Sequence, residues 1–75
     1  MIHFVLVFDR ARGVVLERHE FPADARELAW DKRDTLVRQY AASPDVEVVL
    51  LGAASEDVLR ATHGRYFHNA LPPAA

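Results

Sequence analysis

The sequence contains no cysteine, one lysine and three glycines. Without cysteine there is neither a disulfide framework nor a thiolate ligand for zinc. The longest apolar runs, residues 4–8 and 48–51, are too short to cross a bilayer. The glycines stand apart, so no glycine-rich phosphate loop is present. The N-terminal residues lack the basic segment and long apolar stretch of a signal peptide, and we expect a cytoplasmic location.

The residues that are present have the composition of one ordered globular domain. Of the 75 residues, 51% are hydrophobic and 27% are charged, which argues against disorder. We expect residues 1–68 to form the domain and residues 69–75 to form a flexible tail. A chain of this length buries only about 60–65% of its unfolded surface, so its core is thin. The net charge of −2 does not indicate nucleic-acid binding.

The N-terminal third predicts a β-hairpin. Apolar residues occupy both alternating faces of residues 2–8, which is typical of a central strand. A turn over residues 9–13 follows, where Gly13 supplies the positive φ that closes the loop. Residues 14–21 predict a second strand, more polar and therefore an edge strand.

Two helices and a third strand follow. Asp24 and Glu27 have the spacing of a capping box and predict a helix that runs to about Ala42, before Pro44. Residues 46–51 predict the third strand, which ends before Gly52. Ser55 is the expected N-cap of a second helix. The sequence therefore predicts an α+β, two-layer β-β-α-β-α domain. Its three-stranded mixed sheet has the order 2-1-3, the third strand parallel to the first and both helices on one face.

This arrangement leaves one apolar face of the sheet uncovered, which is the main functional prediction from the sequence. Val5 and Val7 would point away from the helices. The third strand adds one of two sets to that face: Val49 and Leu51, or Val46, Val48 and Leu50. Because monomers seldom expose large apolar patches, we expect a second copy or another protein to cover this face. An open sheet face that carries a few valines is the alternative.

Arginines mark two further candidate surfaces. Arg26 and Arg33 lie at helical spacing beside the apolar stripe, where they lay their stems on the core or meet carboxylates of another chain or a bound anion. Arg10 and Arg12 of the hairpin turn, with Arg18, form a candidate site for nucleic acid or another anion. Solvated turn residues beside acidic neighbours are the simpler interpretation of that tip.

The sequence does not contain a recognisable catalytic or metal-binding pattern, and we expect no cofactor. Of the four histidines, His3 and His19 are predicted neighbours across the hairpin, whereas His63 and His68 have poor spacing for one helical face. An enzyme assembled across a dimer from His3, His19 or His63 and nearby carboxylates is the least favoured hypothesis.

Three segments, HFVLVFDRARG, PDVEVVLLGA and THGRYF, resemble small uncharacterised proteins of actinobacteria and their phages. The resemblance covers most of the chain and implies a small α+β fold, but it does not imply an activity. The sequence therefore favours a non-enzymatic interaction module that self-associates as a homodimer or docks on a larger protein. An anion-binding or nucleic-acid-binding regulator is the alternative.

Overall fold

The computed structural model describes residues 1–67, and the predicted tail lies outside the described residues, as does His68. The elements in chain order are β1 (Ile2–Asp9), β2 (Val14–Phe21), α1 (Arg26–Gln39), β3 (Val46–Ala53), α2 (Glu56–Thr62) and a 3₁₀ turn (Gly64–Tyr66). The three strands form one antiparallel sheet of order β2-β1-β3, which lies between the helical elements. The predicted α+β class and strand order are confirmed.

The hairpin forms as its sequence dictates. Gly13 has a φ of 69°, and its N–H donates to the carbonyl of Asp9 over 2.7 Å. The pairing of β1 with β2 shifts between Val7 and Phe8, because Val7 lies opposite Glu17 whereas Phe8 lies opposite Val15. Leu16 is therefore the extra residue of a β-bulge.

The prediction that β3 runs parallel to β1 is wrong, because the two strands pair antiparallel along their whole length. The hairpin reverses the chain, so β2 finishes at the same end of the sheet at which β1 starts. α1 then carries the chain back along the sheet, and β3 runs in the same direction as β2. The crossover helix thus joins β2 to β3, two parallel strands with β1 between them.

The prediction of two helices on one face is also wrong. Ala29 and Leu36 of α1 pack against Val5 and Val7 on one face of the sheet. On the other face Leu59 of α2 packs with the β1 residue Phe4. Tyr66 of the 3₁₀ turn covers Phe8 on that same face. Since both faces of β1 are apolar, the sheet is stable only when both faces are covered.

The element boundaries differ from the predicted ones at three places. α1 has Ala25 as its N-cap, without a side-chain cap, so Asp24 and Glu27 do not form the predicted capping box. The N–H of Ala25 instead donates to the carbonyl of Pro22 in a preceding turn. α1 ends at Gln39, and β3 continues through Gly52 to Ala53.

The second helix begins as predicted, because the Ser55 hydroxyl accepts a hydrogen bond from the N–H of Val58 over 3.2 Å. α2 ends at Thr62, before Gly64.

Candidate functional site

Val5 and Val7 do not form an exposed interface. Both side chains have 0% exposure within the single chain, because α1 covers them with Ala29 and Leu36. The sheet face expected to be open is therefore occupied by the chain's own helix, which corrects that expectation.

Val49 and Leu51 do not share a face with Val5 and Val7. Strand alternation places them on the opposite side of the sheet, where both are half-buried beside Tyr66. The other candidate set of β3 residues lies on the α1 face and contacts the core there: Val46, Val48 and Leu50. The four predicted apolar residues thus do not form one surface.

The three arginines of the predicted anion site are bonded within the chain. The Arg12 Nε donates to the Asp9 carboxylate over 2.8 Å, and this bond is the main reason that the pKa of Asp9 is lowered. Arg10 donates to the backbone carbonyl of Pro44. Arg18 pairs with Glu20 and Glu56 on a different surface.

Arg18 also lies over the Phe4 ring, on the α2 side of the sheet, with its guanidinium carbon 5.5 Å from the ring centroid. It therefore does not join the hairpin tip, and the structure does not bring the three guanidinium groups together.

By contrast, some backbone groups of β3 point outward from the sheet, away from β1. The N–H of Arg10 donates to the carbonyl of Asp45 over 2.8 Å, and the two residues continue the β1–β3 register. In an antiparallel ladder, hydrogen-bonded pairs alternate with pairs whose polar groups point away from each other. Glu47 and Val49 therefore bond β1, whereas Val48 and Leu50 direct their N–H and carbonyl groups outward.

Gly52 also directs its backbone groups outward. The carbonyl of Val46 points outward as well, whereas the N–H of Val46 donates to the Ser43 carbonyl. We call the outward backbone groups of Val46, Val48, Leu50 and Gly52 the β3 edge. Within residues 1–67, no strand pairs with this edge.

The side chains along β3 are almost entirely apolar. Glu47 is its one charged residue, in the segment VEVVLLGA. The Glu47 carboxylate accepts a 2.9 Å bond from Arg65 and a 2.8 Å bond from the Tyr66 hydroxyl. Burial, and next the bond to Glu47, raise the pKa of Tyr66, so the hydroxyl keeps its proton. The single β3 charge is thus compensated within the chain.

The opposite edge of the sheet is protected against strand pairing. β2 carries the run Glu17-Arg18-His19-Glu20 and the bulge at Leu16. Charged side chains and bulges are the features by which proteins prevent edge strands from pairing. The two edges of this small sheet therefore differ, and only β3 presents a long, apolar, regular edge.

A polar cluster fastens α1 to β2. The Tyr40 hydroxyl donates a hydrogen bond to the Glu17 carboxylate. The His19 ring nitrogen Nε2 also hydrogen-bonds this carboxylate, at a distance of 2.9 Å. The bond from Tyr40 has the largest effect on Glu17 and lowers its pKa. The bond from His19 and the charges of His19 and Lys32 lower this pKa further. The bond to Glu17 raises the pKa of Tyr40.

The other side of α1 carries an exposed apolar stripe that lies toward β3. Ala29 and Leu36 face the sheet, and at about 100° per residue the next residue after each, Trp30 or Val37, lies about a quarter turn farther around the helix. Crossovers between parallel strands are right-handed, and this handedness turns that side of α1 toward β3. Trp30 is 42% exposed and Val37 is 41% exposed. We call these two residues the exposed α1 stripe.

Arg26 and Arg33 border the exposed α1 stripe. Arg26 is exposed, whereas Arg33 is half-buried. Arg33 bonds Asp34 over 3.1 Å, and its guanidinium carbon lies 5.5 Å from the centroid of the Trp30 ring. The sequence analysis named these two arginines as candidate interface residues and missed Trp30. The sequence does signal this residue, because Trp30 is the one tryptophan of the sequence and lies at helical spacing from Val37, beside two arginines.

Among residues 1–67, the histidines do not converge on a metal-binding arrangement. His3 lies 3.3 Å from the Ala23 carbonyl, and His19 contacts Glu17. Within the described part of the chain, no group of three or more histidine and acidic residues is placed to hold a metal ion. No helix in residues 1–67 is both long enough and apolar enough to span a membrane.

Comparison of the chain with protein-family models, curated proteins and solved structures finds no match.

Proposed function

We propose that this chain is a non-enzymatic protein-interaction module that binds its partner at the β3 edge, beside the exposed α1 stripe. One observation carries the proposal: within residues 1–67, the sheet has a protected, charged edge at β2 and an apolar edge at β3 with which no strand pairs. A partner that adds a strand there bonds the outward backbone groups of β3, as in β-augmentation.

Side chains on the α1 side of β3 support such a partner. Val48 and Leu50 are half-buried at the margin of the α1-side core, so an added strand extends that core. Trp30 provides a large apolar contact with a polar indole N–H, a combination enriched in interfaces. The hairpin tip is outside this proposal because its arginines are bonded within the chain.

Site-specific photo-crosslinking in the producing cells tests the proposal. A photoreactive phenylalanine analogue replaces Trp30, and the matched control replaces Leu28. Leu28 is on the same helix and is 61% exposed, but it lies about 160° around the helix from Trp30. We expect a defined adduct from position 30, either with a second copy or with another protein, and none from position 28.

Variants at the sheet edges show whether the adduct depends on β3. Leu50→Pro removes an outward N–H, and Leu50→Ala shortens the same side chain while keeping that N–H. Glu20→Pro makes the equivalent backbone change at β2, since Glu20 lies opposite Phe4 in a pair that does not bond β1. The adduct should be lost only with Leu50→Pro. Equal adducts from positions 28 and 30, or an adduct that survives Leu50→Pro, would contradict the proposal.

A further inference from the structure

We propose that the partner at the β3 edge is a second copy of this chain, joined by antiparallel β3–β3 pairing about a two-fold axis at Val49. This inference rests on the proposed function and names its partner. Each copy contributes its three strands, so pairing yields one continuous six-stranded sheet. Two-fold symmetry requires that the same surface serve both copies.

The backbone of β3 is complementary to itself in this register. A hydrogen-bonded pair forms only between residues whose backbone N–H and carbonyl groups point toward each other. Val48 of one copy therefore pairs with Leu50 of the second copy, and the reverse pair forms by symmetry. Val49 then lies opposite Val49 of the second copy. Each outward N–H of Val48 and Leu50 thereby gains a carbonyl partner.

The charges of β3 also fit this register. Glu47 lies opposite Leu51 of the second copy, so the two Glu47 carboxylates do not oppose each other. Each remains bonded to Arg65 and Tyr66 of its own chain.

The helices fit the same arrangement. α1 contacts β1 and β3 and, to a lesser extent, β2, so the two α1 helices of a dimer are about two to three strand spacings apart, roughly 10–14 Å. Helices that pack against each other have interaxial distances of about 8–10 Å, so the lower end of this range brings the two helices into contact. The exposed α1 stripe lies on the side toward β3, where the second α1 comes to lie. Because the axis reverses one copy, Trp30 of each α1 lies toward Val37 of the other.

Chemical synthesis of the full chain allows a test that changes one backbone atom. N-methylation of Leu50 removes its outward N–H and keeps the side chain, whereas N-methylation of Glu20 is the matched change at the β2 edge. Sedimentation equilibrium over a concentration series gives the mass of each, and circular dichroism reports the fold. We expect the dimer mass for the unmodified and Glu20-methylated chains, and the monomer mass with an unchanged spectrum for the Leu50-methylated chain.

Two outcomes would overturn the inference. One is a monomer mass for the unmodified chain throughout the series, and the other is a dimer that survives N-methylation of Leu50. If the unmodified chain is a monomer yet Trp30 still gives a β3-dependent adduct in cells, the second-copy inference fails while the proposed function stands with a different partner. If neither a dimer nor an adduct forms, both fail.

Discussion

Tyr40, at the C-terminal end of α1, donates its hydroxyl hydrogen bond to the carboxylate of Glu17 on β2. This contact spans the crossover, since Tyr40 follows the helix that leaves β2 and returns the chain to β3. It holds α1 against the charged edge strand, on the face where Val5 and Val7 are buried.

Removal of the Tyr40 hydroxyl should destabilise the fold modestly. Tyr40→Phe deletes one hydrogen bond to a partly exposed carboxylate and leaves the ring in place, so we expect a loss of about 1 kcal/mol in the free energy of unfolding. Urea denaturation followed by circular dichroism measures it. Thr35→Val, which removes a hydroxyl from the outer part of the same helix, is the control. An equal loss in both variants would contradict a specific Tyr40–Glu17 contribution.

The stability that Glu17 contributes should depend on pH in the acid range. Hydrogen bonds from Tyr40 and His19 lower the pKa of folded Glu17 below its ordinary value of 4.5. A lowered folded pKa stabilises the fold above the unfolded pKa, and this contribution is lost as the pH falls through the folded pKa. The stability difference between the natural chain and Glu17→Gln should be constant from neutral pH to about pH 5.5 and shrink below pH 4.5. A difference that grows on acidification would contradict this assignment.

The two helix starts should respond differently to loss of their candidate caps. Ser55 caps α2 through its hydroxyl, so Ser55→Ala should cost about 1 kcal/mol. Asp24→Ala should change the free energy of unfolding by less than about 0.5 kcal/mol, because α1 has no side-chain cap. Thermal unfolding of the two variants provides the comparison. A larger loss for Asp24→Ala would restore the capping box that the sequence suggested.

A cysteine at the proposed two-fold axis should link two copies. Because the chain lacks cysteine, Val49→Cys introduces the only thiol. Residues opposed in a non-hydrogen-bonded antiparallel pair have Cα atoms about 4.5 Å apart, within the range that a disulfide spans. Mild oxidation should therefore yield a covalent dimer on a non-reducing gel.

Val15→Cys is the control for that experiment, since Val15 is a half-buried residue of β2 on the same face of the sheet. It should remain unlinked at the same concentration. Equal linkage at both positions would indicate random collision rather than β3 pairing.

Local signals predicted the hairpin and the start of α2 well. The turn at Gly13 and the alternation of residues 14–21 define β2 at the bounds that the structure has, and Ser55 does cap its helix. Such features depend on a few neighbouring residues, so they can be predicted without knowledge of the packing.

The arrangement of layers depends on contacts distant in sequence, and there the prediction was wrong. The apolar residues on both faces of β1 do not mark an uncovered surface. They are explained by coverage on both faces, with α1 over Val5 and α2 over Phe4. The direction of β3 follows from the end of the sheet at which α1 delivers the chain, which the helical pattern does not specify.

The candidate site could be predicted only in part, for the same reason. Val49 and Leu51 were identified as interface residues from their apolar character. The β3 edge is instead defined by backbone groups, whose outward direction follows from the antiparallel register and therefore requires the correct strand direction.

Hydrogen exchange of individual amides by NMR, across a concentration series, tests β3 pairing most directly. The amides of Val48 and Leu50 should become more protected as concentration rises, because pairing supplies their missing acceptors. The amides of Arg18 and Glu20, which point outward at the β2 edge, should exchange at one rate throughout. Val48 and Leu50 amides that exchange as fast as those of Arg18 and Glu20 at every concentration would contradict the account.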